Sequence, residues 1–429
     1  MSVATATSVP VRAAGTGILG GLVDAFPPRR IFLMALTSAL CQILLFPGSF
    51  GFGAGWEPVA IARELARTGV FGHPYQAGES GPTAVIPPVI PLFFAALMKL
   101  LGDGGAFERV ATISGMLAQA GAAALLPRVS QVFFRDVRPG VVAGLLSALA
   151  FRMMPQWDAP YTCCVLMLFF IASEAPGLRG SLLSGAMAGV LLLMNPATAL
   201  ITAPWVVYLL LHKAIRFSCA AAWALMAAIV AVPWLLRNEA VLGTFSLKDN
   251  FGMTAYASNN DCAQASLGYS IVNGCYDSLH PNKSQHELRL VKQMGEAKYD
   301  RQRTADFLGW VHGHPTAFAR LTSMRVVQFW FPPPFGPLYC AVAVWLATAL
   351  SIPGLVVLLR SRTAVARYFA VALALYPIPY YIVVSDVRYR YPILWISTLC
   401  AGWFLVWVAG GRARPPQDWS PAPQIRRPA

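Results

Sequence analysis

Two carboxylates and a pair of arginines are the side chains whose types and settings best suit chemistry in this chain. Trp56 and Glu57 stand together at the head of a polar stretch, GWEPVAIARELARTGVFGHPYQAGESGPTAVIPPVIP, that runs to Pro91. A carboxylate beside an indole suits an active-site rim, and an ordinary interfacial helix is the plainer reading. His73 and Glu79 lie further along the stretch and, with Trp56, are candidate substrate contacts. Asp158 follows Gln156 and Trp157 at the lip of two apolar segments. A carboxylate there costs free energy unless it is hydrated, paired or used, and Arg152, two helical turns earlier, is the competing structural partner. Near the far end, Asp386, Arg388, Tyr389, Arg390 and Tyr391 set two guanidinium forks beside aromatic rings. Planar donors match phosphate oxygens bidentately, although arginine and tyrosine also anchor helices at a membrane interface. Arg237 and Arg325 are further phosphate candidates.

The elements that must position these groups follow from composition. The chain has 429 residues, 56% of them hydrophobic and only 12% charged, and its apolar runs are too long and too many for one soluble core. This is the composition of a polytopic, all-helical membrane protein. A net charge of +14 would suggest a nucleic-acid partner in a soluble protein; here the lysines and arginines fall mostly between apolar runs, so no nucleic acid is expected. Within the polar stretch, Ile61, Leu65 and Thr68 recur at helical spacing while Glu57, Arg63, Glu64 and Arg67 occupy other faces, as in a short helix at the bilayer surface. Gly69 and Gly72 stop that helix, and Pro82, Pro87, Pro88 and Pro91 turn the chain back towards lipid.

Charge placement sets the topology. Arg29 and Arg30 precede the run Ile31 to Pro47, which keeps residues 1–28 as a cytoplasmic tail and delivers the first outer loop, 49–106, to the far side. The apolar run Val85 to Leu101 is read as re-entrant or surface-lying, because a full span would put Arg128, Arg135 and Arg138 outside. Spans are then expected near 107–127, 139–155, 161–175, 181–194, 197–211 and 217–236, several short of the ~20 residues that cross a bilayer comfortably. An outer segment, 237–337, reads as strand-like or loop pieces from Val241 to Cys275, then helices near 284–312 and 316–331. The last spans, near 338–359, 365–384 and 391–409, complete about ten and leave 411–429 as a disordered cytoplasmic tail. The membrane core is thus 29–236 and the C-terminal helices 338–410, in a multi-pass inner-membrane protein with both termini cytoplasmic.

Six of the eight cysteines lie in apolar spans, where a thiol is a small buried hydrophobe. Cys262 and Cys275 fall in the outer segment, where a disulfide would close a short loop and contribute roughly 3 kcal/mol. The scattered histidines His73, His280, His312 and His314 give no metal template and read as surface residues.

In order, an apolar helix, a polar loop ending in a proline-rich dip, two spans around a basic loop, an external Asp158, a run of short spans and a large outer segment resemble the membrane glycosyltransferases of the GT-C fold. More closely, GWEPVAIARELARTGVFGHPYQ, PWLLRNEAVLGTFSLKDNFGMTAYASNN, HPTAFARLTSMRVVQFW and DVRYRYPI resemble the bacterial family-39-like group, related to protein O-mannosyltransferases and aminoarabinose transferases. The resemblance implies a GT-C-like helical bundle with a small mixed outer cap. It also implies inverting transfer of a sugar from a polyprenyl-phosphate carrier to a saccharide, lipid or protein acceptor outside the cytoplasmic membrane. The lipid-linked sugar is the donor substrate; no cofactor is required, and a divalent cation is permitted. Glu57 is the nearest match to the carboxylate of the family's first outer loop, Asp158 falls where the second outer loop often contributes one, and Arg388 with Arg390 falls at the expected carrier-phosphate contacts. The chain departs from the pattern in having Ala54 and Gly55 where relatives show an Asp-Glu pair slightly earlier. A non-catalytic GT-C-like scaffold and a transporter of lipid-linked saccharides are the alternatives.

Overall fold

The computed structural model describes residues 18–46, 52, 56–151, 154–175, 177–334 and 337–410. Among them no strand forms; pairing is confined to two isolated bridges, Gly72 with Pro82 and Ser266 with Ser385. The mixed cap expected between 237 and 337 is therefore helical, built from Phe251–Ser258, Leu267–Val272, Cys275–Leu279, Gln285–Met294, Glu296–Gly313 and Pro315–Trp330. The supposed strand pieces are helices whose free donors find partners far along the chain; Asp300, for example, accepts the N–H groups of Gly252 and Met253 at the start of Phe251–Ser258.

Among the described residues six helices are long and apolar enough to cross a membrane: Pro28–Leu45, Gly105–Phe134, Phe217–Leu242, Leu338–Arg360, Ala364–Ile382 and Val387–Val408. Four others expected to span, Arg138–Ala150, Ala159–Ser173, Gly177–Leu192 and Pro196–Leu211, are shorter. At 1.5 Å per residue the 13 residues of Arg138–Ala150 extend about 20 Å, less than the ~30 Å hydrocarbon core, so these helices lie packed among longer neighbours. Val89–Leu101, the expected re-entrant element, is equally short. Two boundaries move because proline is absorbed inside a helix: Pro127 within Gly105–Phe134 puts Arg128 on a helix, and Pro233 within Phe217–Leu242 puts Arg237 on another. Arg128 and Arg135 share Glu174 as partner. Residues 18–25 of the expected N-terminal tail form a helix, Ile18–Ala25. Arg152, Ala54, Gly55 and the tail 411–429 lie outside the described residues.

The last helix, Tyr391–Val408, is the buried post of the bundle and packs against Leu338–Arg360 and Arg138–Ala150. Glycine permits that approach: a Cβ on Gly354 would stand 2.1 Å from the Cys400 carbonyl oxygen, and one on Gly402 2.2 Å from that of Pro139. Around the post, Phe133 meets Phe170, Trp205, Phe369 and Trp395 with ring centroids 5.0–5.6 Å apart. Just before it, Asp386 caps a short turn, Val387–Arg390, by accepting the Arg388 N–H at 2.9 Å. Arg388 is thus carried on the turn that opens the buried helix Tyr391–Val408.

The outer segment is stitched to the first outer loop. Arg237 donates to the carbonyls of Thr83 at 2.7 Å and Phe71 at 3.0 Å, and its guanidinium lies over the rings of Phe71 and Trp234. Glu296 accepts from the Ala84 N–H and the Thr83 hydroxyl, and Asn282 accepts the Gln76 N–H. Arg325, fully buried, donates to the Asn259 side chain and to the carbonyls of Ser258 and Ile382. Both arginines are thereby consumed by the protein, which corrects their expected role as phosphate contacts. Removing the Arg325 guanidinium leaves buried acceptors without a donor, at about 1–3 kcal/mol each. Arg325→Met should therefore lower stability by at least ~3 kcal/mol, seen as a shifted melting transition in nanodiscs, while leaving the cavity residues in place.

Candidate active site

At the end of the bundle that carries the first outer loop, a cavity of about 510 Å³ lies between that loop, the apolar helices and the outer segment. Glu57, Asp158, Lys248 and Arg388 all line it, with Asn195 and Tyr276 between them. Each arrives on a different element. Glu57 is the first residue of the helix Glu57–Thr68, which has proline at its second position and ends at Gly69 with φ 82°. Val59, Ile61 and Ala62 are buried and hold that helix to the scaffold, while Glu57 is half-buried at its cavity end.

Asp158 precedes Ala159–Ser173 and accepts from the Asn195 amide at 3.2 Å and the Thr162 hydroxyl at 3.3 Å. Asn195 in turn caps the turn Pro196–Thr198. Arg388 lies over the Trp157 ring with its central carbon 3.6 Å from the centroid, and Trp157 meets Trp56 edge to face at 5.7 Å. A stack of Trp56, Trp157 and Arg388 therefore fixes the guanidinium, and Trp56 acts from behind it, not as a cavity wall. Arg388 also donates to the Tyr389 hydroxyl at 3.3 Å, and its Nε, 4.0 Å from Asp386, makes no hydrogen bond.

Burial pushes the Glu57 and Asp158 carboxyls above the ordinary carboxylate range; Arg388 and Lys248 both pull them back. Crowding by protein lowers the Lys248 ammonium, opposed by the charges of Asp158 and Glu57. Its side chain is nevertheless exposed at the cavity's open side, so water screens that depression and the charged form is the one to reason with. Two carboxylates and two cations face one space. The protein's own cations balance its carboxylates, so this donor set does not suit a divalent ion, which takes several oxygen ligands. Among the described residues no three His, Cys, Asp or Glu side chains gather at one point.

The structure brings Glu57, Asp158, Arg388 and Tyr389 to one cavity and separates them from the other candidates. Arg390, two residues on, points into the protein: it is fully buried, donates to Ser397 at 2.6 Å and lies over Trp330 at 4.4 Å. In the tight turn the two forks diverge, so they do not share one phosphate. His73 sits in left-handed backbone, φ 54°, and its Nδ1 accepts the N–H groups of Ser80 and Gly81, which shapes the loop bearing the exposed Glu79. His73 lines a separate cavity of about 560 Å³ with Arg63, Arg67 and Lys99, and Glu79 lines neither. His280, expected at the surface, is buried in the main cavity wall and held neutral by burial, its pKa lowered to about 4. Lys248, Asn195 and Tyr276 were not singled out from the sequence as site residues. Lys248 sits in an ordinary-looking polar loop, and only the fold turns it inward: Asn238 and Trp234 bind the carbonyls of Ser246 and Leu247, and the Asp249 N–H bonds to Ala84.

The arrangement has the GT-C fold of membrane glycosyltransferases. The chain overlays the Archaeoglobus fulgidus oligosaccharyltransferase complexed with Zn and sulfate at a TM-score of 0.53, with 13% identity, 88% of this chain and 49% of that one covered. The oligosaccharyltransferase AglB from the same organism, with an inhibitory peptide and a dolichol-phosphate, gives 0.51 and 14%, covering 90% and 51%. The chain spans about half the length of these neighbours, and at such identity the likeness shows the fold alone. ArnT from Cupriavidus metallidurans, bound to undecaprenyl phosphate, overlaps at a TM-score of 0.38 and is too distant to carry an argument. No protein-family model matches the chain, and no curated protein matches it in sequence.

Proposed function

We propose that the protein is a glycosyltransferase that moves a sugar from a polyprenyl-phosphate carrier to an acceptor hydroxyl on the outer face of the cytoplasmic membrane. The observation that carries this reading is the convergence of two half-buried carboxylates, Glu57 and Asp158, with two cations, Arg388 and Lys248, at one end of an apolar bundle. A neighbour of the same fold has been seen with a dolichol-phosphate, which supports a lipid phosphate as ligand. Arg388 and Lys248 receive the carrier phosphate, and the apolar walls at Met194, Leu200 and Val383 accept the start of its tail. Glu57 takes the proton of the acceptor hydroxyl as its oxygen bonds to the anomeric carbon. The bond from that carbon to the phosphate oxygen breaks, and the electron pair leaves with the polyprenyl phosphate, inverting the centre. Asp158, oriented by Asn195 and Thr162, holds the sugar hydroxyls or Lys248 in register.

The test is release of free polyprenyl phosphate by purified protein in nanodiscs given a panel of polyprenyl-phosphate sugars; no release from any donor would favour a non-catalytic scaffold. The pH profile gives a second check. The base works only when ionised, and burial raises both cavity carboxyls above their ordinary values near 4. kcat/KM should therefore rise with pH along a limb that lies above the ordinary carboxylate range. A limb at or below that range would remove Glu57 and Asp158 as the base.

A further inference from the structure

Tyr276 is a cavity residue with no part in the transfer chemistry proposed for Glu57, Asp158, Arg388 and Lys248. It lies on Cys275–Leu279, a short outer-segment helix that begins at the cysteine joined to Cys262. Its ring stacks on His280 with centroids 5.1 Å apart and planes at 19°, and His280 meets Tyr75 of the first outer loop edge to face. The ring is thus fixed on one side by packing and at its root by a covalent link. Both cysteine sulfurs lie at the Asn260 side-chain amide oxygen, Oδ1, which also accepts the Cys262 N–H. Asn260 follows the helix Phe251–Ser258 and returns two bonds to it, from its amide to the carbonyls of Tyr256 and Ala257. The disulfide therefore ties the Tyr276 helix to a rigid part of the outer segment.

The hydroxyl of Tyr276 makes no hydrogen bond among the described residues, and Tyr276 lines the same cavity as Glu57, Arg388 and Tyr389. The Tyr389 hydroxyl already accepts from Arg388, so its proton remains free to donate into the same space. Phenols from two elements therefore share one cavity with the Arg388 guanidinium and the exposed Lys248 ammonium. Such a set matches a phosphate group, which offers acceptors on several sides and gains negative charge as it departs.

We propose that Tyr276 is a catalytic residue that donates its phenolic proton in a hydrogen bond to the carrier phosphate, and that the Cys262–Cys275 disulfide serves to position it. This rests on the proposed transferase reading and deepens it, because it makes the outer segment part of the leaving-group site. The phenol keeps its proton throughout; only the hydrogen bond strengthens as the phosphate leaves.

The experiment compares wild type, Tyr276→Phe, the paired Cys262→Ser/Cys275→Ser variant and the combination, all in nanodiscs. Tyr276→Phe retains the ring on His280, so its melting transition should match wild type. Its kcat for polyprenyl phosphate release should fall 10- to 100-fold, and its affinity for farnesyl monophosphate alone, by calorimetry, should weaken about tenfold. The paired cysteine variant should show a similar loss of kcat, and combining it with Tyr276→Phe should cost little more, since both act through one hydroxyl. Wild-type turnover and farnesyl monophosphate affinity in Tyr276→Phe would overturn the assignment, and losses that multiply in the combination would overturn the positioning role of the disulfide. If wild type transfers no sugar at all, the transferase reading fails by itself, and farnesyl monophosphate binding still decides whether Tyr276 meets a phosphate.

Discussion

Arg388→Gln is expected to lower kcat for polyprenyl phosphate release by about 10²–10³-fold, the range for losing a preorganised donor at a developing negative charge. The size follows from preorganisation. The guanidinium is clamped face-on to Trp157 at 3.6 Å, with Trp56 behind and Tyr389 beside it, and it stands on the turn that begins the most buried helix. It need not reorder as charge builds on the departing phosphate, and in a partly dry cavity its field is weakly screened. Glutamine keeps much of the side-chain length and can donate one hydrogen bond, so binding of the donor should weaken less than turnover. Arg388→Lys should recover only part of the loss, because an ammonium neither stacks flat on the indole nor offers a fork. Arg390→Gln is the contrast: that side chain is buried against Trp330 and Ser397, and its loss should register in the melting transition first. An Arg388→Gln protein with wild-type kcat would place the leaving phosphate elsewhere.

The divergence of Arg388 and Arg390 shows what a sequence can and cannot carry here. Glu57, Asp158 and Arg388 were legible because each is a charged residue at the edge of an apolar run, where its cost demands a use. Which face a side chain takes within a four-residue turn depends on the capping bond that Asp386 accepts, and no periodicity encodes that. Arg237 and Arg325 carry the same local signal as Arg388, a guanidinium near an apolar boundary, yet the fold spends their donors on carbonyls of Thr83, Phe71, Ser258 and Ile382. Lys248 and Tyr276 gave no signal because they enter the cavity through long-range closure, one by backbone contacts to the first outer loop and the other by the disulfide helix. Helix existence was readable from hydropathy almost throughout. Boundaries slipped where prolines such as Pro127 and Pro233 sit inside helices whose neighbours absorb the missing bond. The outer segment misled because short helices capped from a distance, as Asp300 caps Phe251–Ser258, have no periodic stretch long enough to read.

Glu57→Gln should reduce kcat by about 10²–10⁴-fold, the contribution of a positioned general base, with little change in melting. The substitution is nearly isosteric, and the residue begins its helix at a half-exposed position, so the buried Val59, Ile61 and Ala62 continue to hold the backbone. Asp158→Asn tests the division of labour between the carboxylates. Asp158 already accepts from Asn195 and Thr162, which occupy lone pairs and suit it to orientation, whereas no side chain bonds to Glu57 among the described residues. Burial raises Glu57, and the hydrogen bond that pulls it back comes from its own backbone, whereas Asp158 accepts from two side chains as well, so Glu57 is the better proton acceptor. Asp158→Asn should therefore act mainly on KM for the donor, and Glu57→Gln mainly on kcat. The two variants also separate by pH: the acidic limb of kcat/KM should survive in Asp158→Asn and vanish in the residual activity of Glu57→Gln. The reverse pattern would make Asp158 the base and leave Glu57 to organise the acceptor.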